Sequence, residues 1–427
     1  MRFYSTNKKS PVASLREAVM SGLAPDGGLY MPVDIPVMPR SFFKKMPGLS
    51  FQELAFEVSK ELFEKDIPAR VLNKMVKKAF DFPVPLIRLT PKISVLELFH
   101  GPTFAFKDFA ARFMGQVMAF FAQDIKKEMV VLVATSGDTG SAVANGFSGL
   151  SGVRVVILYP SKKVSLLQEA QFARIGGNVT ALEVKGTFDD CQALVKRALL
   201  DAELKRSLRL ASANSINVAR LLPQTFYYFF AHAQMKTASI VFSVPSGNFG
   251  DLTAGLIAKR MGLPVQRFIA ATNANDTVPR YLETGRYEPR ASRQTLSNAM
   301  DVGDPSNFCR MLELYKGSVE KMRRDVCGLS FSDTETKGAI KEVFEKYDYV
   351  LDPHGAVAYL GLKRYGHGGV FLETAHPAKF SKTVEAALGV KIDIPASLGA
   401  CLKKAKKSIL LPNSPGELKE LLLALCV

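Results

Sequence analysis

Short apolar runs rich in β-branched residues alternate along the chain with longer stretches of helical character. Met129 to Ala134 (MVVLVA) and Val153 to Pro160 (VRVVILYP) are two such runs, separated by the glycine loop TSGDTGS and the helical-looking AVANGF. Six to eight apolar residues bounded by turn formers predict a strand buried on both faces. The order strand, glycine loop, helix, strand is a βαβ unit of a parallel sheet. It returns at SIVFSV (Ser239 to Val244), PSGNFGD, LTAGLIAKRMG and VQRFIAAT, and a third time, truncated, where GVFLET (Gly369 to Thr374) runs into AHPAKFSKTVEAAL. Between these units lie a helix around SLLQEAQFARIGG, a strand NVTALEVKG and a helix DDCQALVKRALLDAEL; FYYFFA from Phe226 reads as core. The fold class is therefore α/β, with at least one open, mostly parallel sheet flanked by helices. At 427 residues the chain exceeds a single core, so two or three lobes are expected, and no internal repeat marks their borders.

Charge changes the picture only a little. Lys and Arg outnumber Asp and Glu by 56 to 40, a net +16, and such an excess suits nucleic acid, an anionic membrane or an anionic small molecule. The basic clusters near Lys44, near Lys77 and from Lys403 to Lys407 are short and belong to no nucleic-acid-binding signature, so no nucleic-acid partner is expected. Apolar stretches fall short of the ~20 residues that cross a bilayer, and MRFYSTNKKS lacks the apolar core of a signal peptide; a soluble, cytoplasmic protein without membrane attachment is expected. The cysteines Cys191, Cys309, Cys327, Cys401 and Cys426 form no CxxC pair, and no HExxH-like spacing occurs. Neither a disulfide framework nor a metal site is expected.

The candidate chemistry lies in the loops. In open α/β sheets ligands bind outside the carboxyl ends of the strands, where loop amides and helix N-termini point at anions. SGDTG (Ser136 to Gly140) and SGNFG (Ser246 to Gly250) occupy that position, although a glycine after a strand is also ordinary turn chemistry. Neither fits GxxxxGK[ST] or GxGxxG, which argues against ATP and NAD. A third feature is HGPTFAFKDFAARF (His100 to Phe113), where Lys107 stands among Phe104, Phe106, Phe109 and Phe113. A lysine at a helix start ordinarily snorkels to water. In an apolar setting the ammonium is disfavoured and the amine becomes a nucleophile. A nucleophilic lysine beside phosphate cradles meets the needs of pyridoxal phosphate.

The segments HGPTFAFKDFAARFMG, ATSGDTGSAV, SANSINVARLLPQ, VPSGNFGDLTAG, MDVGDPSNF, DPHGAVAYL and TAHPAKF, with GLAPDGGLYMP (Gly22 to Pro32) ahead of them, resemble the threonine synthase family. Its members are pyridoxal phosphate enzymes of fold type II, similar to the tryptophan synthase β chain, and the likeness spans the whole chain. It implies two open, mostly parallel sheets behind an N-terminal segment. The implied units are an N-terminal domain at 1–85, a large cofactor domain at 86–112 and 211–427, and a small α/β domain at 113–210. It implies conversion of O-phospho-L-homoserine and water to L-threonine and phosphate with pyridoxal 5'-phosphate. It leaves a monomer or a homodimer open.

By the same resemblance Lys107 is the Schiff-base lysine and the base at Cα and Cβ. Gly247, Asn248, Phe249 and Gly250 hold the cofactor phosphate, and Thr374 meets the pyridine nitrogen with a neutral hydroxyl. Thr135, Ser136 and Thr139 cradle the substrate carboxylate. Asn214, Asn217 and Arg220 reach the substrate phosphate, where Lys379 is expected to add a second positive charge. Asp138 departs from the fold type, which often has Asn beside the cofactor's phenolic oxygen. An ionised carboxylate there would repel a phenolate, so Asp138 either shares a proton or points elsewhere. His100 and His376 are read as structural, and His354 as a loop residue near the site. Rival readings are a phospho-lyase that releases 2-oxobutyrate, a serine or threonine dehydratase, and a non-catalytic basic binding protein.

Overall fold

The strands form a six-stranded, mostly parallel sheet, a five-stranded parallel sheet and a small antiparallel sheet. The computed structural model describes residues 1–123, 127–235 and 237–426. The six-stranded sheet runs Val326–Ser330, Val265–Thr272, Ile240–Pro245, Gly369–Glu373, Ile93–Glu97, Leu86–Arg88, and only the last pair is antiparallel. The five-stranded sheet runs Ser408–Pro412, Val179–Lys185, Val153–Pro160, Met129–Ala134, Arg209–Ser212 and is parallel throughout. Arg2–Ser5, Ala13–Ser14 and Tyr30–Pro32 form the third, antiparallel sheet, which the chain's patterning did not suggest.

The central strands Met129–Ala134 and Ile240–Pro245 are buried at every position, as continuous apolar runs between two helical layers must be. Several helical runs are shorter than their patterning implies. SLLQEAQFARIGG is helical only over Leu166–Ala170. DDCQALVKRALLDAEL breaks at Asp201, whose carboxylate caps the second piece through the amides of Glu203 and Leu204. AHPAKF makes a 3-10 turn over Pro377–Phe380 before the helix Ser381–Leu388 begins. At the C-terminus the strand Ser408–Pro412 is hydrogen-bonded to Val179–Lys185, in the five-stranded sheet, whereas the expected units put all of 211–427 with the other one. No helix among the described residues is long and apolar enough to cross a membrane.

Two helices place the site. Lys107–Ala122 packs on Asp138–Phe147 through Gly115 and Gly146, and a Cβ on Gly115 would stand 2.6 Å from the Gly146 carbonyl oxygen. Only glycines permit so close a crossing, and it holds the N-termini of the two helices side by side. The other face of Lys107–Ala122 carries Phe109 and Phe113 into a cluster with Phe51, Phe80, Phe226 and Tyr227. Phe51 opens the helix Phe51–Phe63, so the N-terminal segment is anchored to the helix that bears Lys107. Each such aromatic pair contributes about 0.5–1.5 kcal/mol beyond its buried area.

Candidate active site

A cavity of about 490 Å³ opens at the carboxyl ends of the strands and is bordered by both glycine loops, Lys107, Arg220 and Thr374. The loop before Lys107 is pinned to the strand that ends beside Thr374. Phe106 N donates to Thr374 O at 2.8 Å, and His376 N donates to Phe104 O at 3.1 Å. Phe104 lies in the left-handed region, with φ 57°, a costly conformation for a bulky residue that its surroundings must impose. Asp108 supplies part of that constraint, since it accepts from Thr103 N at 2.8 Å and from Thr103 Oγ1 at 2.5 Å. It braces the loop, and burial pushes its carboxyl up to about 6.

Lys107 is the first residue of its helix, and its side chain is 17% exposed. Of the four phenylalanines around it, only Phe106 meets the amine, with the ring centroid 4.6 Å from Nζ. Phe104 packs on His376, while Phe109 and Phe113 point into the core. Burial lowers the Lys107 pKa. The charges of Lys379 and Arg220 lower it further, and Asp138 opposes them. The positive end of the helix macrodipole acts in the same direction as burial.

The SGNFG loop is held from behind. Phe249 adopts φ 59° and ψ 14°, which turns the chain into the helix Gly250–Arg260. Asn248 Oδ1 accepts from Ser306 N at 3.3 Å and Oγ at 3.1 Å, and Asn248 O accepts from Asn307 N at 3.2 Å. Gly247, Asn248, Phe249 and Gly250 all border the cavity, as expected. Asn307 Nδ2 is buried without a partner, 3.4 Å from where a Cβ on Gly250 would stand. Its Oδ1 accepts from Arg310 Nη1 at 2.6 Å, which leaves the amide with its donor towards Gly250. Arg310 is fully buried and donates to the carbonyls of Tyr30, Ser215 and Ile216.

Ser136, Asp138 and Thr139 border the cavity, but Thr135 does not. Its hydroxyl, fully buried, accepts from Gly137 N at 2.9 Å and Gly140 N at 2.8 Å, so it shapes the loop from inside. In NSINVAR, Asn214 reaches the cavity while clamping Ala134 through both its amide atoms. Asn217 faces away. It caps the short helix Val218–Leu221 and donates to Val19 O and Ser212 O, so it contributes to the scaffold and not to a phosphate site. Arg220 borders the cavity and donates from Nη1 to Ala213 O at 2.6 Å; its Nε is buried without a partner. Lys379 also lies off the cavity wall, with its Nζ 2.7 Å from Asp138 Oδ1 and 2.8 Å from Thr103 O. That amine is spent inside the protein, so it is no second ligand for the substrate phosphate.

Several bordering residues went unnoticed in the sequence. Thr6, Asn7 and Gly28 come from loops flanking the strands of the N-terminal sheet, and Gln192 and Lys196 from the helix Phe188–Leu200. GLAPDGGLYMP was a visible signal for the first group, yet nothing local says that it reaches the site. His354 is in the first turn of the helix Pro353–Tyr365 and not in a loop. It borders the cavity, pairs through Nδ1 with Asp352 and accepts from Ala299 N at 3.2 Å. His376 Nδ1 accepts from Ala378 N, and His100 pairs with Glu97, both within their own turns.

An amine whose pKa burial lowers shares this space with a glycine loop backed by an orphaned amide donor. These residues fit a phosphate-bearing carbonyl cofactor, and they place the protein among the pyridoxal phosphate enzymes. The chain matches the family described as pyridoxal-phosphate dependent enzyme over residues 83–371. It also matches the threonine synthase N terminus over 2–80 and the threonine synthase C-terminal region over 356–422. A threonine synthase of Serratia marcescens is 46% identical over 100% of both chains. The crystal structure of threonine synthase from Escherichia coli superposes with a TM-score of 0.94 at 45% identity, covering 99% of this chain and 100% of that one. The pyridoxal phosphate-bound threonine synthase of Brucella melitensis gives 0.93 at 36% identity, covering 100% and 99%. The chain belongs to the threonine synthase family, and its cofactor is pyridoxal 5'-phosphate.

Proposed function

We propose that the protein converts O-phospho-L-homoserine and water to L-threonine and inorganic phosphate, the last step of threonine biosynthesis. The observation that carries this reading is two anion places and one amine in a single cavity: the Gly247–Gly250 loop, Arg220 and Lys107. One anion place suits the cofactor phosphate and leaves the other for a phosphate on the substrate. Full-length likeness to threonine synthases supports the same choice.

Bound pyridoxal phosphate supplies an electron sink that acidifies carbon–hydrogen bonds of the amino acid joined to it. The protein supplies position and charge. Lys107 Nζ, once the substrate has displaced it, holds and moves the protons at Cα and Cβ. Ser136 and Thr139, at the N-terminus of the helix Asp138–Phe147, hold the substrate carboxylate where the macrodipole favours an anion. Arg220 takes the γ-phosphate, since a planar, permanently charged fork suits bidentate phosphate binding, and its bare Nε is a donor to spare. The Thr374 hydroxyl offers the ring nitrogen a neutral partner, so the ring is not driven to its protonated form. Residues from the loops of the N-terminal sheet and from Phe188–Leu200 complete the cavity wall and so limit the access of water, which is also a reactant.

The test is incubation of the purified holoenzyme with O-phospho-L-homoserine and identification of products by NMR. Threonine and phosphate in equal amounts are expected. 2-Oxobutyrate with ammonia in place of threonine would sink the proposal in favour of a phospho-lyase.

A further inference from the structure

Three charged side chains, Lys107, Asp138 and Lys379, meet beside the cavity from three different parts of the chain. Asp138, in the first turn of its helix, is 3% exposed. Its Oδ1 lies 2.7 Å from Lys379 Nζ and accepts from Gln168 Nε2 at 2.9 Å, while its Oδ2 lies 3.5 Å from Lys107 Nζ. Lys379 is fully enclosed and spends a second proton on Thr103 O. Two lysines thus compete for one carboxylate, and the distances show which is better bound. If both were protonated the buried group would carry a net positive charge, which is costly away from water. The proton least well held is the one on Lys107.

We propose that Lys379 is a positioning residue that acts on Lys107 through Asp138: it takes up the carboxylate in a buried ion pair and so leaves the Lys107 amine free to lose its proton. This accounts for an aspartate at a place where the fold type often has asparagine. The Asp138–Lys379 pair is neutral as a unit, so it does not repel an anionic oxygen beside it as a lone carboxylate would. The other charges facing the group are Arg220, which acts on Lys107, and Asp251, which feels Lys107 from the cavity wall; Asp108 and His376 face Lys379. Lys379, Lys107 and Gln168 together hold the Asp138 carboxyl well below its ordinary range, and the lowered pKa of Lys107 agrees.

The inference rests on Lys107 being the amine that joins the cofactor, and the two ideas are separable by experiment. Borohydride reduction of the holoenzyme followed by peptide mapping tests the first; label on another lysine would overturn the reading of the site itself. For the second, the full chain freed of cofactor is treated with dinitrofluorobenzene across a pH series, and modification of Lys107 is followed by mass spectrometry. Lys379→Met leaves Asp138 unpaired, so the free-amine fraction at neutral pH should fall about tenfold, equivalent to roughly one pKa unit upward. Asp138→Asn leaves Lys379 unpaired and should shift the profile downward by a similar amount. The double variant Asp138→Asn/Lys379→Met removes both charges, relieves any folding defect of the single changes and should return the profile close to the wild type. Opposite shifts with restoration in the double variant support the inference. Single variants that shift the profile the same way, a Lys379→Met profile that stays in place, or a double variant that keeps the Asp138→Asn profile would each overturn it.

Discussion

Arg220 borders the cavity, spends one Nη1 bond on Ala213 O and leaves Nε without a partner, whereas Arg310 spends its donors on Tyr30, Ser215, Ile216 and Asn307 and does not border the cavity. The two arginines therefore differ in kind, one poised for an incoming anion and the other a tie between backbone segments. Replacing Arg220 by Ala should raise KM for O-phospho-L-homoserine about 10- to 100-fold, since hydrogen bonds to a charged group contribute roughly 1.5–3 kcal/mol. The dissociation constant for pyridoxal phosphate, measured by fluorescence titration, should change little; the reverse pattern would put Arg220 on the cofactor. Lys107→Ala should abolish turnover while cofactor still binds, in a form that borohydride no longer traps. At this scale the sequence was readable where chemistry is local. Lys107, Gly247 to Gly250 and Thr374, which all border the cavity, carry the context for that placement in the adjacent residues. Thr135, Asn217 and Lys379 do not, because a polar side chain at a site is indistinguishable in sequence from one that braces the same loop. The Lys379 partner Thr103 is 276 residues away.

The helix Pro353–Tyr365 meets the strand Gly369–Glu373 at a contact that admits no side chain. A Cβ on Gly355 would stand 1.4 Å from Glu373 Oε2, and Glu373 is fully buried with Oε1 accepting from Asp352 N at 2.6 Å. Gly355→Ala must push the helix off the strand or turn the carboxyl away from its donor, a loss of at least about 1–3 kcal/mol in a urea melt. Gly338 offers the control. It sits exposed inside the helix Asp333–Tyr347 with nothing within 4 Å of an added Cβ, so Gly338→Ala should stabilise by about 0.5–1 kcal/mol. Equal effects from the two changes would show that the Glu373 contact carries no constraint. Buried strands were legible because continuous apolar runs leave few alternatives. Ser408–Pro412 was harder to place, since four of its five residues are half-buried or exposed in a burial pattern without alternation. Nothing in SILLP says which sheet it joins; that depends on the open edge offered by Val179–Lys185. The N-terminal sheet was invisible for a related reason, as strands of two to four residues lack a period to read.

For the molecule as a whole, the charge surplus of +16 acquires a function only through the cavity's position. Net charge by itself suits nucleic acid, membrane or an anionic metabolite, and the short, scattered basic clusters together with the glycine loops favour the last. Lys196 and Arg290 border the cavity together with Asp189 and Asp304, so these four charges balance and attraction must come from the wider surface. A substrate with a phosphate, a carboxylate and one ammonium carries net negative charge at neutral pH, and a strongly basic protein draws it in over a distance set by salt. The screening length shrinks from about 30 Å at 0.01 M to about 10 Å at 0.1 M, so steering by surface charge fades across that range. kcat/KM for O-phospho-L-homoserine should therefore fall several-fold as sodium chloride is raised from about 10 to 300 mM. kcat should hold, because Lys107, Asp138 and Lys379 interact inside the protein, where screening by salt is weak. Chloride serves better than phosphate as the added anion, since phosphate would compete at Arg220. A kcat that drops with salt while kcat/KM stays flat would place the salt-sensitive step after binding, and the net charge would then have no part in capturing substrate.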